Sequence, residues 1–163
     1  MFSSKLKAKR VGSHMNNIFI ESHMEEIIAR IDKLTPNSKP RWGKMNIAQM
    51  LAHCSAFQDI TMGVSAPERH WLGKLIGPLV KPIIYNDKPM QPNSPTIPAV
   101  LITDEKEFEF ERSELKRKIR VFQANGPEKC TTNPHPFFGK LKPEQWGKGT
   151  YKHLDHHLKQ FGV

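Results

Sequence analysis

The chain has 163 residues and carries 25 Lys+Arg against 16 Asp+Glu, a formal net charge of +9, with 37% apolar residues. That is enough apolar material to close one core, which excludes wholesale disorder. The longest apolar stretch, Trp71 to Tyr85, is interrupted by Lys74, Pro78, Lys81 and Pro82, so no run reaches the roughly 18–20 residues of a membrane span.

Residues 1–14 read MFSSKLKAKRVGSH and hold Lys5, Lys7, Lys9 and Arg10 with no acid. The run Gly12-Ser13-His14-Met15 has the look of a protease-site remnant abutting a start Met. Residues 1–14 are therefore expected to be an expression tag, or else a basic tail, and residues 15–163 the domain. With that +4 set aside, +5 remains, too little for a nucleic-acid footprint. Cys54 and Cys130 are the two cysteines. No secretory apolar region precedes them, so reduced thiols and a cytoplasmic location are expected.

Four long helical patterns follow. In the first, from about Ile18 to Leu34, Ile20, Met24, Ile27, Ile28, Ile31 and Leu34 recur at three- and four-residue steps, as one helical face requires. Thr35-Pro36 ends it. The second opens at Asn46, with Gln49 three residues on as in a capping box. Its stripe is Ile47, Met50, Leu51, Cys54 and Phe57, and it fades near Met62-Gly63. Residues 64–103 contain seven prolines. Trp71 to Val80 is expected to form a short helix and the remainder a long functional or surface-wrapping loop. The third pattern runs from about Asp104 to Ala124, with Asp104 and Glu105 at its positive N-terminus. Phe108, Leu115, Ile119 and Phe122 form its stripe, and Asn125-Gly126-Pro127 stops it. The fourth begins at Pro143, which suits a first turn, and runs through Tyr151, Leu154, Leu158 and Phe161. Four amphipathic helices without credible strands predict an all-α four-helix bundle.

His153 and His157 lie four apart, so on a helix their imidazoles share a face and can take two positions on one metal ion. On a wheel of about 100° per residue with Leu154 at zero, they fall near 260° and 300°, beside the apolar stripe. His156, near 200°, faces solvent or a loop. On the second helix His53 also flanks the stripe. His53, His153 and His157 would give a three-histidine site with one open position, the pattern of a catalytic divalent metal. Imidazole donors fit Zn, Ni, Cu or Fe. A lone histidine beside a core is more commonly just hydrogen-bonded there, so spacing alone leaves that reading open.

The blocks Trp42-Gly43-Lys44-Met45, Met50-Leu51-Ala52-His53-Cys54, Asn93-Ser94-Pro95, His135-Pro136-Phe137-Phe138-Gly139 and Tyr151 to Gly162 (YKHLDHHLKQFG) together resemble the DinB-like (YfiT-like) superfamily. Within it they are most similar to a sub-family known as a domain of unknown function. The resemblance covers about residues 18–163. It implies an up-down-down-up bundle with a long crossover between helices two and three, here the Pro-rich segment 64–103. It also implies a divalent metal, Zn or Ni first, on His53, His153 and His157. Some members of that superfamily are thiol S-transferases using bacillithiol, mycothiol or glutathione; others are isomerases or hydrolases. This chain departs from many members in carrying Leu158-Lys159 before Gln160, where a basic residue and Gly are usual.

The function expected is therefore that of a metal-dependent enzyme, a transferase or hydrolase, whose partner is a small-molecule substrate, such as a low-molecular-weight thiol. No nucleic acid and no membrane are expected as partners, and a homodimer is expected through a helix face. The cation would lower the pKa of a thiol or water at its open position. His135 is the candidate to act as acid/base or to bind substrate. The alternative is a metal-free or vestigial bundle serving as a binding module. Asp155 and the Lys/Arg residues at 112–120 read as surface charge, Trp42 and Trp146 as core or rim, and Cys54 as a buried thiol.

Overall fold

The computed structural model describes residues 15–86 and 88–163; the expected tag over residues 1–14 lies outside them. Among the described residues the chain is all-helical, with five α-helices and no strand. They are α1 (Glu21–Asp32), α2 (Ile47–Thr61), α3 (Trp71–Ile84), α4 (Phe108–Asn125) and α5 (Pro143–Gln160). Short 3-10 turns occupy Pro98–Val100 and Pro127–Lys129.

The predicted stripes become the core, apart from Ile20, which precedes α1 and stays 49% exposed, and Phe57, which is half-buried. Ile27, Ile31, Leu51, Ile119 and Leu154 are all essentially inaccessible, as are Leu115 and Phe122 of the α4 stripe. α1 and α2 each pack against both α4 and α5, so the four helices bury one another's apolar faces. The capping box at the head of α2 forms as its sequence predicts. Asn46 Oδ1 accepts from the Gln49 amide at 2.9 Å, and Gln49 Oε1 accepts from the Asn46 amide at 3.0 Å. These two bonds satisfy amide groups that a helix start otherwise leaves bare. Pro143 takes the first turn of α5, where its missing N–H costs no hydrogen bond.

Two expectations are corrected. The crossover between α2 and α4 carries a helix longer than Trp71 to Val80, for α3 continues to Ile84 with Pro78 and Pro82 inside it. A proline removes one bond to the residue four back. The carbonyls released belong to Lys74 and Pro78, which are themselves exposed, so neither is stranded in the core. The second correction is the start of α4, at Phe108 rather than near Asp104. Glu107 caps it, accepting from the amides of Glu109 (3.0 Å) and Phe110 (2.6 Å). Asp104 pairs with Lys106 instead, at 2.7 Å.

The rest of the crossover is largely exposed, with one buried turn. Its Pro98–Val100 turn lies against α2 and buries Val100. No helix among the described residues is long and apolar enough to cross a membrane.

Candidate metal centre

His53 projects from the middle of α2, and His153 and His157 from consecutive turns of α5. The two helices pack together, and the three imidazoles meet. One ring nitrogen from each lies within 4.8 Å of the other two. The ring centroids are 5.0 Å apart for His53 and His153, and 4.7 Å for each of the other two pairs. His53 and His157 are buried and His153 is half-buried.

The hydrogen bonds around the rings decide which nitrogens are free. A carbonyl only accepts, so His53 Nδ1–H donates to Val100 O at 2.7 Å. The neutral ring then carries its lone pair on Nε2. Gln160 Nε2 donates to Trp42 O at 2.7 Å, which orients the amide with Oε1 toward His157. His157 Nδ1–H therefore donates to Gln160 Oε1, at 2.8 Å, and its lone pair also sits on Nε2. His153 Nδ1 is buried with no hydrogen-bond partner among the described residues. Its Nε2 lies 3.0 Å from His53 Nε2. Two ligands each roughly 2.0–2.1 Å from one ion at a tetrahedral angle stand about 3.3 Å apart, so this approach suits a shared ion.

Burial holds all three rings neutral. It lowers the pKa of His53, an effect the Val100 bond partly offsets, and lowers that of His153 well below the ordinary value, with His157 and His53 adding to the effect. His157 is pushed down to about 3, first by burial and then by His53. Neutral imidazoles are the form that binds a metal. Tautomers fixed from behind by a carbonyl or amide oxygen are the usual support of histidine ligands. The donor set is all nitrogen, with no carboxylate in the cluster. It fits a divalent transition ion better than an oxygen-seeking one.

Gln160 is held in turn by the loop before α2. Gly43 has φ +82°, and a Cβ built there would lie 2.7 Å from Gln160 Nε2. Only glycine gives the loop both that backbone conformation and that approach. The loop thereby delivers Trp42 O to Gln160, and Gln160 to His157.

Other residues take different places. His156 is half-buried, with its ring 5.6 Å from that of Trp42 and a hydrogen bond to the backbone of Met90. His135 lies in the loop before α5 and is not one of the clustered ligands. Its Nδ1 accepts from the amides of Phe137 (3.0 Å) and Phe138 (3.2 Å), which closes the turn and leaves the proton on Nε2. Burial pushes its pKa down to about 4. Phe57 touches both His135 and His153, with centroids at 6.1 and 4.4 Å. Asp155 pairs with Arg30 at 2.9 Å and Lys159 at 2.7 Å. Cys54 is buried with its sulfur 3.7 Å from that of Met50, and burial raises its pKa; an inert core thiol follows.

The backbone acceptors of this centre, Val100 O and Trp42 O, escaped the sequence reading. Gln160 appeared there only as part of a pattern. The Trp42-Gly43 block carried a signal for one of the two carbonyls; nothing in residue type marks Val100.

In comparisons with known proteins, the family described as Protein of unknown function (DUF1569) matches residues 17–162. No curated protein and no solved structure matches the chain.

Proposed function

The chain belongs to the DUF1569 family, and from its histidine cluster we propose that it is a divalent-metal-dependent enzyme acting on a small molecule. The observation that carries this reading is the 3.0 Å approach of His53 Nε2 to His153 Nε2, with His53 and His157 both turned lone-pair-inward by acceptors behind them. His53, His153 and His157 would hold the ion. A zinc or nickel ion on three imidazoles supplies a Lewis acid with an open position, which lowers the pKa of a thiol or water placed there.

The chain's own residues supply the rest. Val100 and Gln160 orient two of the ligands. Phe57 gives the cluster an apolar wall against His153. His135, with Nδ1 committed to its turn, has Nε2–H to donate. That geometry suits binding a substrate acceptor better than removing a proton. The resemblance to the DinB-like superfamily supports a thiol transferase as the specific activity, in which a low-molecular-weight thiol displaces a leaving group from an electrophile.

The test is a panel of low-molecular-weight thiols with a chromogenic aryl halide, run with zinc- or nickel-loaded protein. Metal-dependent turnover that disappears in His153→Ala and His157→Ala supports the reading. Turnover that is equal in those variants, or that does not depend on metal, contradicts it.

A further inference from the structure

α3 is built inside out. Its small residues face the protein: a Cβ on Gly73 would lie 2.7 Å from Phe137 Cα, and one on Gly77 would lie 2.2 Å from Phe137 O. Three of its large apolar residues face outward. Trp71, Leu75 and Leu79 are 70%, 70% and 75% exposed, and Val64 just upstream is 75% exposed. At about 100° per residue, Trp71, Leu75, Pro78, Leu79 and Pro82 fall within about 100° of arc. Lys74 and Lys81 flank that arc on one side, Lys81 also donating to Lys140 O; the helix itself holds no Asp or Glu, and Glu68 and Asp87 lie just outside it in sequence.

An apolar stripe of this size exposed on a domain marks an interaction site. The charge beside it selects the occupant. Two copies meeting antiparallel through this face would bring the lysine flank of one against that of the other, with no acid in the helix to receive it. The side chains concerned also expose only on the order of 400 Å², about half of what one partner in a stable protein pair contributes. An interfacial helix has this composition: an apolar face with an aromatic anchor, and a flank that is basic only.

We propose that α3 is a docking helix for an anionic lipid surface, lying in the plane of the interface with Trp71, Leu75 and Leu79 inserted and Lys74 on the headgroup phosphates. This goes beyond the proposed metal chemistry and stands independently of it. It departs from the sequence reading, which expected no membrane partner: that reading looked only for a run long enough to span, and a peripheral contact needs none.

The full chain is tested by co-sedimentation with vesicles of phosphatidylcholine alone and of phosphatidylcholine with phosphatidylglycerol in equal parts. Binding to the anionic vesicles only is expected, with a blue shift of tryptophan emission that Trp71→Phe removes. Leu75→Ser/Leu79→Ser should weaken the partition about tenfold or more, and Lys74→Glu severalfold. All four sites are exposed, so circular dichroism should remain unchanged. The proposal is overturned by absent binding, by equal binding to both vesicle types, or by binding that survives Leu75→Ser/Leu79→Ser, which would assign it to the basic residues at 1–14. It is also overturned if that variant instead dissolves a dimer, which would make a second copy the occupant.

Discussion

Replacing Gln160 with leucine probes the support behind the ligands while leaving the ligands in place. Gln160 is buried and makes two short bonds, accepting from His157 Nδ1 at 2.8 Å and donating to Trp42 O at 2.7 Å. Leucine keeps the volume but leaves His157 Nδ1–H without its acceptor, so the ring can rotate and its tautomer is no longer fixed. Losing a partner of this kind lowers metal affinity about 10–100-fold, or roughly 1.4–2.7 kcal/mol. The fold should lose about 1–3 kcal/mol for the buried donor left unpaired. Affinity is read by zinc competition against a chromogenic chelator, and stability by urea unfolding of the metal-free protein. An unchanged zinc affinity would refute the orienting role. A loss as large as that of His157→Ala would show that the introduced leucine had displaced the ligand itself.

Further expectations follow from the same geometry. Excess zinc or nickel should stabilise the folded protein by about 2.7 kcal/mol at a hundredfold above Kd; His53→Ala, His153→Ala and His157→Ala should each abolish that thermal shift. Gly43→Ala should cost roughly 1–2 kcal/mol for its left-handed backbone and also weaken zinc binding, because the new Cβ meets Gln160 Nε2; full zinc affinity in a destabilised variant would separate the loop from the site. The metal-free protein should lose stability in acid. His135 and His157 titrate at about 4 and about 3 when folded, against an ordinary value near 6.5, so below pH 6.5 the unfolded chain binds more protons. Stability is full above that pH and falls as pH drops toward 4, by ~3 kcal/mol for His135 alone. Urea midpoints measured from pH 7 to pH 4 check this, and a flat profile would mean that these rings are not buried neutral.

Much of the arrangement is legible in the sequence because helix faces announce themselves. The spacing of Ile27 and Ile31, or of Leu115, Ile119 and Phe122, can bury one side only if the chain is helical. Asn46 and Gln49 mark a helix start because their side chains reach each other's amides. The histidine triad was legible in part for the same reason: helix phase puts His53, His153 and His157 each beside its own stripe, while the resemblance to the DinB-like superfamily is what joins them on one ion. Other features depend on competition that residue types do not resolve. Asp104 and Glu107 are both suited to begin α4; Glu107 caps it and Asp104 pairs with Lys106 instead. Pro78 and Pro82 suggest an ending, yet α3 passes through them because it lies at the surface. The carbonyls of Val100 and Trp42 are invisible to side-chain reasoning, since any residue can present one. Only the folded crossover and the loop before α2 bring them to the rings.

X-ray absorption at the metal edge of zinc-loaded protein tests the central claim most directly. One ion per chain is expected, in a nitrogen-rich shell with three imidazoles at roughly 2.0–2.1 Å, and the imidazole signature should fall in His153→Ala. A shell dominated by sulfur or carboxylate oxygen, or an imidazole count unchanged by His153→Ala, would contradict the assignment of His53, His153 and His157 as the metal centre.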